Sequence, residues 1–217
     1  MAAGRSHRVF LLSPAKAGGV RYELLVREGA GSDVARKLRS GDATIAEVYT
    51  FISGLYFRGK MAYAEAFGDA APDGMPGGLV IVPGAGLAPP DTRVTLEQLR
   101  AIAEIPVDER HHAYRDALLE SARLLDKHAG PDCLHVLLGS VASDKYTKPL
   151  LEVFGDRLVF PSDFVGRGDM SRGGLMLRHA RSGVELAYVA VRGAVLHGVR
   201  PPKLPRTTDT KRPVRLD

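Results

Sequence analysis

Short apolar runs alternate with longer amphipathic segments along this chain, and most runs end at a turn signal. Buried strands are predicted at residues 9–12, 79–82 and 134–138, which stop at Ser-Pro, Pro-Gly and Gly-Ser steps. Further strands are predicted at 22–26 and 157–160, and a closing pair at 175–178 and 184–191 around a turn at 181–183. The spacing of apolar residues predicts helices over 31–40, 44–67 with a break at Ser53-Gly54, 96–105 and 108–129, and a short helix or a turn over 144–154.

This order of elements predicts an α/β fold, with a central, largely parallel or mixed sheet flanked by helices. We expect a single compact domain over residues 1–199, followed by a basic, proline-rich, extended tail over 200–217. The stretch 68–78 is rich in Gly, Pro and Asp and is predicted to be a loop. Because ligands of such sheets bind beyond the carboxyl ends of the strands, residues 13–16, 84–91 and 140–146 are expected to share one edge.

The composition of the 217 residues is that of an ordinary globular protein, with 45% hydrophobic and 25% charged residues. A net charge of +5 favours a polyanionic partner. The single cysteine, Cys133, excludes an internal disulfide and a zinc site built on cysteines. No apolar run is long enough for a membrane span, and the first residues make a poor signal peptide. A cytoplasmic protein is predicted, with no metal and no cofactor, since the histidines have no convincing ligand spacing.

The stretch 166–174, Gly-Arg-Gly-Asp-Met-Ser-Arg-Gly-Gly, is the most informative part of the sequence. Glycine allows close approach of a ligand to the backbone, and the guanidinium groups of Arg167 and Arg172 match phosphate. Asp169 is a carboxylate among these cations and is a candidate catalytic group. The alternative is a solvated, flexible loop.

Three other segments carry candidate binding residues. Ser13 and Lys16 follow the first strand and are suited to hold a phosphate or a base edge, although Ser-Pro is also a common turn. In the segment 53–60, the ring of Tyr56 is expected to stack on a base while Arg58 and Lys60 neutralise phosphates. The alternative for that segment is a helix hinge whose aromatic residues belong to the core.

The third segment, residues 142–148, follows the strand at 134–138. Asp144 is a candidate general base there, with Lys145, Tyr146 and Lys148 as neighbours. The alternative is a capped helix start with solvated lysines. The loop at 84–91, which ends at Asp91, has neither a dinucleotide fingerprint nor a Walker loop, and is expected to line a pocket.

Four motifs in order resemble the YaaA family, known for peroxide stress, and the related small domains of the DUF6884 type. They are Ser-Pro-Ala-Lys at 13–16, Gly-Leu-Ala-Pro-Pro-Asp at 86–91, Ala-Ser-Asp-Lys-Tyr-Thr-Lys at 142–148 and Arg-Gly-Asp-Met-Ser-Arg at 167–172. Residues 53–64 are similar to a further motif of the smaller relatives. The resemblance implies a compact α/β fold with a positively charged cleft that binds DNA. Asp169 stands where the family usually has an apolar residue.

These observations favour an enzyme that acts on bases in DNA, specifically a metal-independent N-glycosylase that excises a modified or damaged base in repair or antiviral defence. Such enzymes extrude the base from the duplex into a pocket. Asp144 or Asp169 is expected to be the catalytic carboxylate, with Asp91 and Asp163 in reserve. Two alternatives stay open: a non-catalytic DNA-binding protein of oxidative stress, and an RNA- or nucleotide-modifying enzyme.

Overall fold

The computed structural model describes residues 7–68, 76–195, 198–202 and 204. Within them, six strands form one sheet: β1 Arg8–Leu12, β2 Gly78–Val82, β3 Gly86–Ala88, β4 Leu134–Leu138, β5 Leu158–Pro161 and β6 Tyr188–Ala190. The α-helices are α1 Val20–Val26, α2 Asp33–Ser40, α3 Ile45–Ser53, α4 Leu55–Phe67, α5 Leu96–Ala103, α6 His112–Ala129, α7 Asp144–Phe154 and α8 Asp169–Ser182. Two short 3₁₀ turns, Gly155–Arg157 and Ser162–Phe164, flank β5.

The strands lie in the order β3-β2-β1-β4-β5-β6. The four inner strands are parallel to one another, and the edge strands β3 and β6 are antiparallel to their neighbours. Every residue of β2 is buried, as are the last four of β1. Because successive side chains point to opposite faces, both faces of the sheet must be covered. The predicted α/β domain with a largely parallel, mixed sheet is confirmed.

Local signals account for most helix boundaries. Ser32 accepts a hydrogen bond from the start of α2, and Thr44 and Thr95 form capping boxes at α3 and α5. Gly54 ends α3 with a φ of 59°, a left-handed conformation that favours glycine, so the break predicted at Ser53-Gly54 is present.

Two of the predicted strands are wrong, and a third is shorter than predicted. Residues 22–26 belong to helix α1, whose buried residues Tyr22, Leu25 and Val26 have helical spacing. Residues 175–178 lie inside helix α8, and Gly183 is its left-handed C-cap rather than part of a hairpin turn. Of the predicted strand at 184–191, only Tyr188–Ala190 is a strand, and it pairs with β5.

Helices α4 and α8 cross at a pair of glycines. A Cβ atom on Gly173 would lie 2.7 Å from the carbonyl oxygen of Leu55 and 2.8 Å from the Cα of Tyr56. A Cβ on Gly59 would lie 2.6 Å from the carbonyl oxygen of Gly173. Gly173 of the 166–174 stretch therefore allows the close crossing of two helices, which brings the beginning of α8 against α4.

The beginning of the predicted tail lies against α8. The carbonyl oxygen of Val199 would be 2.3 Å from a Cβ on Gly166, and Arg167 donates to the carbonyl oxygen of Pro202 at 3.5 Å. Leu204 packs against the core. Residue 203 and residues 205–217 of the tail lie outside the described residues, as do 69–75 of the predicted loop. In the described part of the chain, no helix is long and apolar enough to cross a membrane.

Candidate functional site

A cleft opens at the carboxyl edge of the sheet, where the direction of the chain connections changes. The chain passes from β1 to β2 on one side, whereas β4 leads to β5 on the other. The loops after β1 and β4 therefore diverge and leave a gap between them. Ligands usually bind in such a gap in this architecture. The cleft has a volume of about 620 Å³. It is lined by Ser13–Ala17, by Tyr49, Ile52, Ser53, Tyr56 and Pro83, by Ile102, Ala103 and Ile105–Val107, and by Ser140, Lys145, Tyr146 and Asp169.

A buried lysine supports the floor of this cleft. Lys60 of α4 is 1% exposed, and its Nζ donates to the carbonyl oxygen of Ser13 at 2.8 Å and to the Ser13 Oγ at 2.7 Å. The same Nζ lies 3.9 Å from the centre of the Tyr56 ring. These contacts tie the loop after β1 to helix α4.

The environment of Lys60 opposes its positive charge. The pKa of its amine is lowered to about 7, chiefly by burial; Asp169 acts in the opposite direction, and Arg172 and Lys145 make smaller contributions that lower the pKa. The expectation that Lys60 neutralises phosphates directly is wrong for this conformation, because the amine is enclosed by Ser13 and Tyr56. Its role is to position Ser13 at the cleft.

Three tyrosines form the aromatic part of the cleft wall. Tyr49 comes from α3, Tyr56 from α4 and Tyr146 from α7, and all three are buried. Burial raises the pKa of Tyr56 to about 12, so its hydroxyl stays protonated near neutral pH. That hydroxyl lies close to Ser13 and Arg172 but makes no well-formed hydrogen bond. The buried Tyr56 hydroxyl therefore has hydrogen-bonding capacity that no group of the described residues uses.

Among the described residues that line the cleft, Asp169 is the only one with a carboxylate. It is the first residue of α8, where the positive end of the helix dipole favours a negative charge. Its side chain is 69% exposed, and its Oδ1 lies 3.8 Å from the Nη1 of Arg172. The Arg172 guanidinium is itself fixed by two hydrogen bonds to the carbonyl oxygen of Phe164. Arg172 thus anchors the residues before α8 and does not line the cleft as a phosphate clamp.

The remaining predicted site residues are divided between the cleft and other surfaces. Ser13, Lys16, Lys145 and Tyr146 line the cleft, as the shared sheet edge predicts, and Tyr56 and Asp169 join them from α4 and α8. Asp144 and Lys148 belong to α7 but are exposed and do not line it. Arg58 and Arg167 line a different groove.

Asp91 is not at the predicted edge. Strand β3 runs antiparallel to β2, so Ala88 pairs with Val80 and the chain returns toward the amino end of β2 before it reaches Asp91. Asp91 and the glycine loop at 84–86 do not line the cleft, and Pro83 is the residue of that segment that does.

The sequence reasoning missed one wall of the cleft. Tyr49, Ile52, Ser53 and Tyr56 line it from α3 and α4 at successive intervals of three, one and three residues. Tyr49, Ile52 and Ser53 have the spacing of one face of α3, and Tyr56 follows the break at Gly54 as the second residue of α4. Ile102 and Ala103 at the end of α5, together with Ile105–Val107 after it, form an apolar wall without any sequence motif.

Two further results concern a possible metal site and the similarity of this chain to known proteins. In residues 7–68, 76–195, 198–202 and 204, no three His, Cys, Asp or Glu side chains are grouped so that they could hold a metal ion. The chain matches no protein-family model, no curated protein and no solved structure.

Proposed function

We propose that this chain is a DNA N-glycosylase, which hydrolyses the bond between the sugar and a modified or damaged base. The observation that carries the proposal is the single carboxylate of Asp169 in a cleft with three tyrosines, at the switch point of a parallel sheet. Neither a repair role nor an antiviral role is favoured by this geometry.

The size and lining of the cleft suit an extruded base. A volume of about 620 Å³ lies within the usual range of small-molecule sites, roughly 300–1,000 Å³. Aromatic walls bind bases by stacking, and three tyrosines line this cleft. Lys16 and Lys145 supply positive charge beside the phosphates that flank such a base.

In the proposed reaction, water attacks the sugar carbon C1′ and the bond from C1′ to the base nitrogen breaks. The Asp169 carboxylate accepts the proton of the attacking water and stabilises the positive charge that develops on the sugar. The departing base takes the bonding electrons and a proton from solvent. The products are a free base and an abasic site.

Two aspartates form a matched pair for the test. Asp169 and Asp144 are both exposed and both begin a helix, but only Asp169 lines the cleft. Purified protein is incubated with duplex DNAs that carry different base modifications, including phage DNAs. Free bases are measured by mass spectrometry, and abasic sites by an aldehyde-reactive probe.

The wild-type protein should release a base from at least one of these DNAs. D169N should lower the rate by about 10²–10⁴-fold, the usual contribution of an acid–base group, whereas D144N should keep it. Release of no base from any DNA, or equal rates for D169N and D144N, would contradict the proposal. Reaction with RNA or free nucleotides alone would favour the nucleotide-modifying alternative.

A further inference from the structure

A second groove runs along the other side of the first turn of α8. It has a volume of about 680 Å³ and lies between the start of α4, helix α8 and residues 200–202 and 204. Among the described residues that line it, none is an Asp or a Glu, and five are arginines: Arg58, Arg167, Arg178, Arg181 and Arg200. We call this surface the arginine groove.

Three of these arginines have positive charges that no carboxylate of the described residues compensates. Arg58 and Arg200 are exposed, and neither forms a side-chain hydrogen bond or an ion pair in the described structure. Arg167 donates only to neutral groups: the carbonyl oxygens of Asp163 and Pro202 and the hydroxyl of Ser171. Guanidinium groups of this kind bind phosphate oxygens through paired hydrogen bonds.

The arginine groove and the cleft meet at the start of α8. Asp169 lines the cleft, while its neighbours Gly168 and Met170 line the arginine groove. A chain of phosphates in the groove would therefore pass directly beside the cleft. Met170 is 66% exposed and adds an apolar contact surface at this point.

We infer that the arginine groove binds the phosphate backbone of a DNA strand and holds that strand beside the cleft. The link to the cleft rests on the proposed function, but the binding of DNA in the groove does not. The lack of acidic side chains among the described lining residues, and the uncompensated charge of Arg58, Arg167 and Arg200, favour a polyanion with regularly spaced phosphates.

The test is the salt dependence of binding to an unmodified duplex of about 20 base pairs, measured by fluorescence anisotropy. Each phosphate contact contributes about 0.9 to the slope of log K against log salt concentration. The double variant R58Q/R200Q should therefore have a slope smaller by about 1.8. A fourfold rise in salt should therefore weaken the binding of the wild-type protein about 12 times more than it weakens the binding of R58Q/R200Q.

The matched control is R36Q/R110Q, which removes the same charge from two exposed arginines outside the groove. This control should bind as the wild-type protein does. Equal slopes for R58Q/R200Q and the wild-type protein would overturn the inference, and so would equal losses in both double variants. Binding of polyglutamate as tightly as DNA, with the same loss in R58Q/R200Q, would overturn it in favour of an acidic protein partner. Since the duplex has no modified base, the result is independent of any glycosylase activity.

Discussion

Replacement of Lys60 by Met should change how the stability of the protein depends on pH. Burial lowers the pKa of Lys60 to about 7 in the fold, against 10.5 for an unperturbed lysine. Below about pH 7 both the folded and the unfolded chain carry the proton, and the fold bears the full penalty of a buried charge. Between about pH 7 and pH 10.5, the unfolded chain binds one proton more than the folded chain, so the free energy of unfolding rises with pH. Above both values the dependence vanishes.

The size of the effect follows from the two pKa values. The maximal slope for one proton is about 1.4 kcal/mol per pH unit. From about pH 7.5 to pH 9.5, the wild-type protein should gain about 2.5 kcal/mol relative to K60M, which has no amine to titrate. The side chain of Met has a similar length and can fill the space without a charge.

The measurement is urea unfolding of both proteins across this pH range, with the difference in unfolding free energy plotted against pH. The difference cancels the titration of groups that the two proteins share. K127M, which removes an exposed lysine of α6, serves as the control and should follow the wild-type curve. Parallel curves for K60M and the wild-type protein would refute the reasoning. They would mean that the two hydrogen bonds to Ser13 keep Lys60 charged in the fold.

Two further substitutions test the packing that supports the site. Gly173→Ala should lower the free energy of unfolding by about 1–3 kcal/mol, because the new Cβ would overlap the backbone of α4. The higher helix propensity of alanine should offset about 1 kcal/mol of this loss. The adjacent Gly174→Ala should not destabilise the fold, since its Cβ would meet nothing closer than 3.8 Å; urea midpoints compare the two. Tyr63→Phe should cost about 1–3 kcal/mol in urea unfolding, because the Tyr63 hydroxyl accepts the buried N–H of Leu186 at 2.8 Å. An unchanged midpoint would mean that water replaces the hydroxyl.

The fold class could be predicted because its main strands have a strong local signature. The runs that became β1, β2 and β4 are almost wholly apolar, short and bounded by Pro or Gly, which is the pattern of strands buried on both faces. Their parallel pairing then placed Ser13, Lys16, Lys145 and Tyr146 at one edge, which the structure confirms.

The errors occurred where tertiary contacts outweighed the local signal. Gly173-Gly174 is typical of a break, and the apolar residues after it suggested a strand. The helix continues through both glycines because the missing side chain of Gly173 lets α8 cross α4 closely, which the sequence around residue 173 does not reveal. Asp91 was misplaced because the turn after β2 leads into an antiparallel strand and reverses the chain.

The sequence by itself determined the class of fold, the break between α3 and α4, and the loops that meet at the carboxyl edge of the sheet. These features depend on local patterns of apolar, glycine and proline residues. Only the tertiary structure decided which charged residues share a surface. Lys60 and Arg172 turn inward where helices α4 and α8 cross near the loop after β1. Asp169, at the start of α8, brings a carboxylate to the cleft. Arg58 and Arg167, 109 positions apart in the numbering, share the arginine groove because of the same crossing. Such neighbourhoods arise from packing between distant segments, which no local pattern encodes.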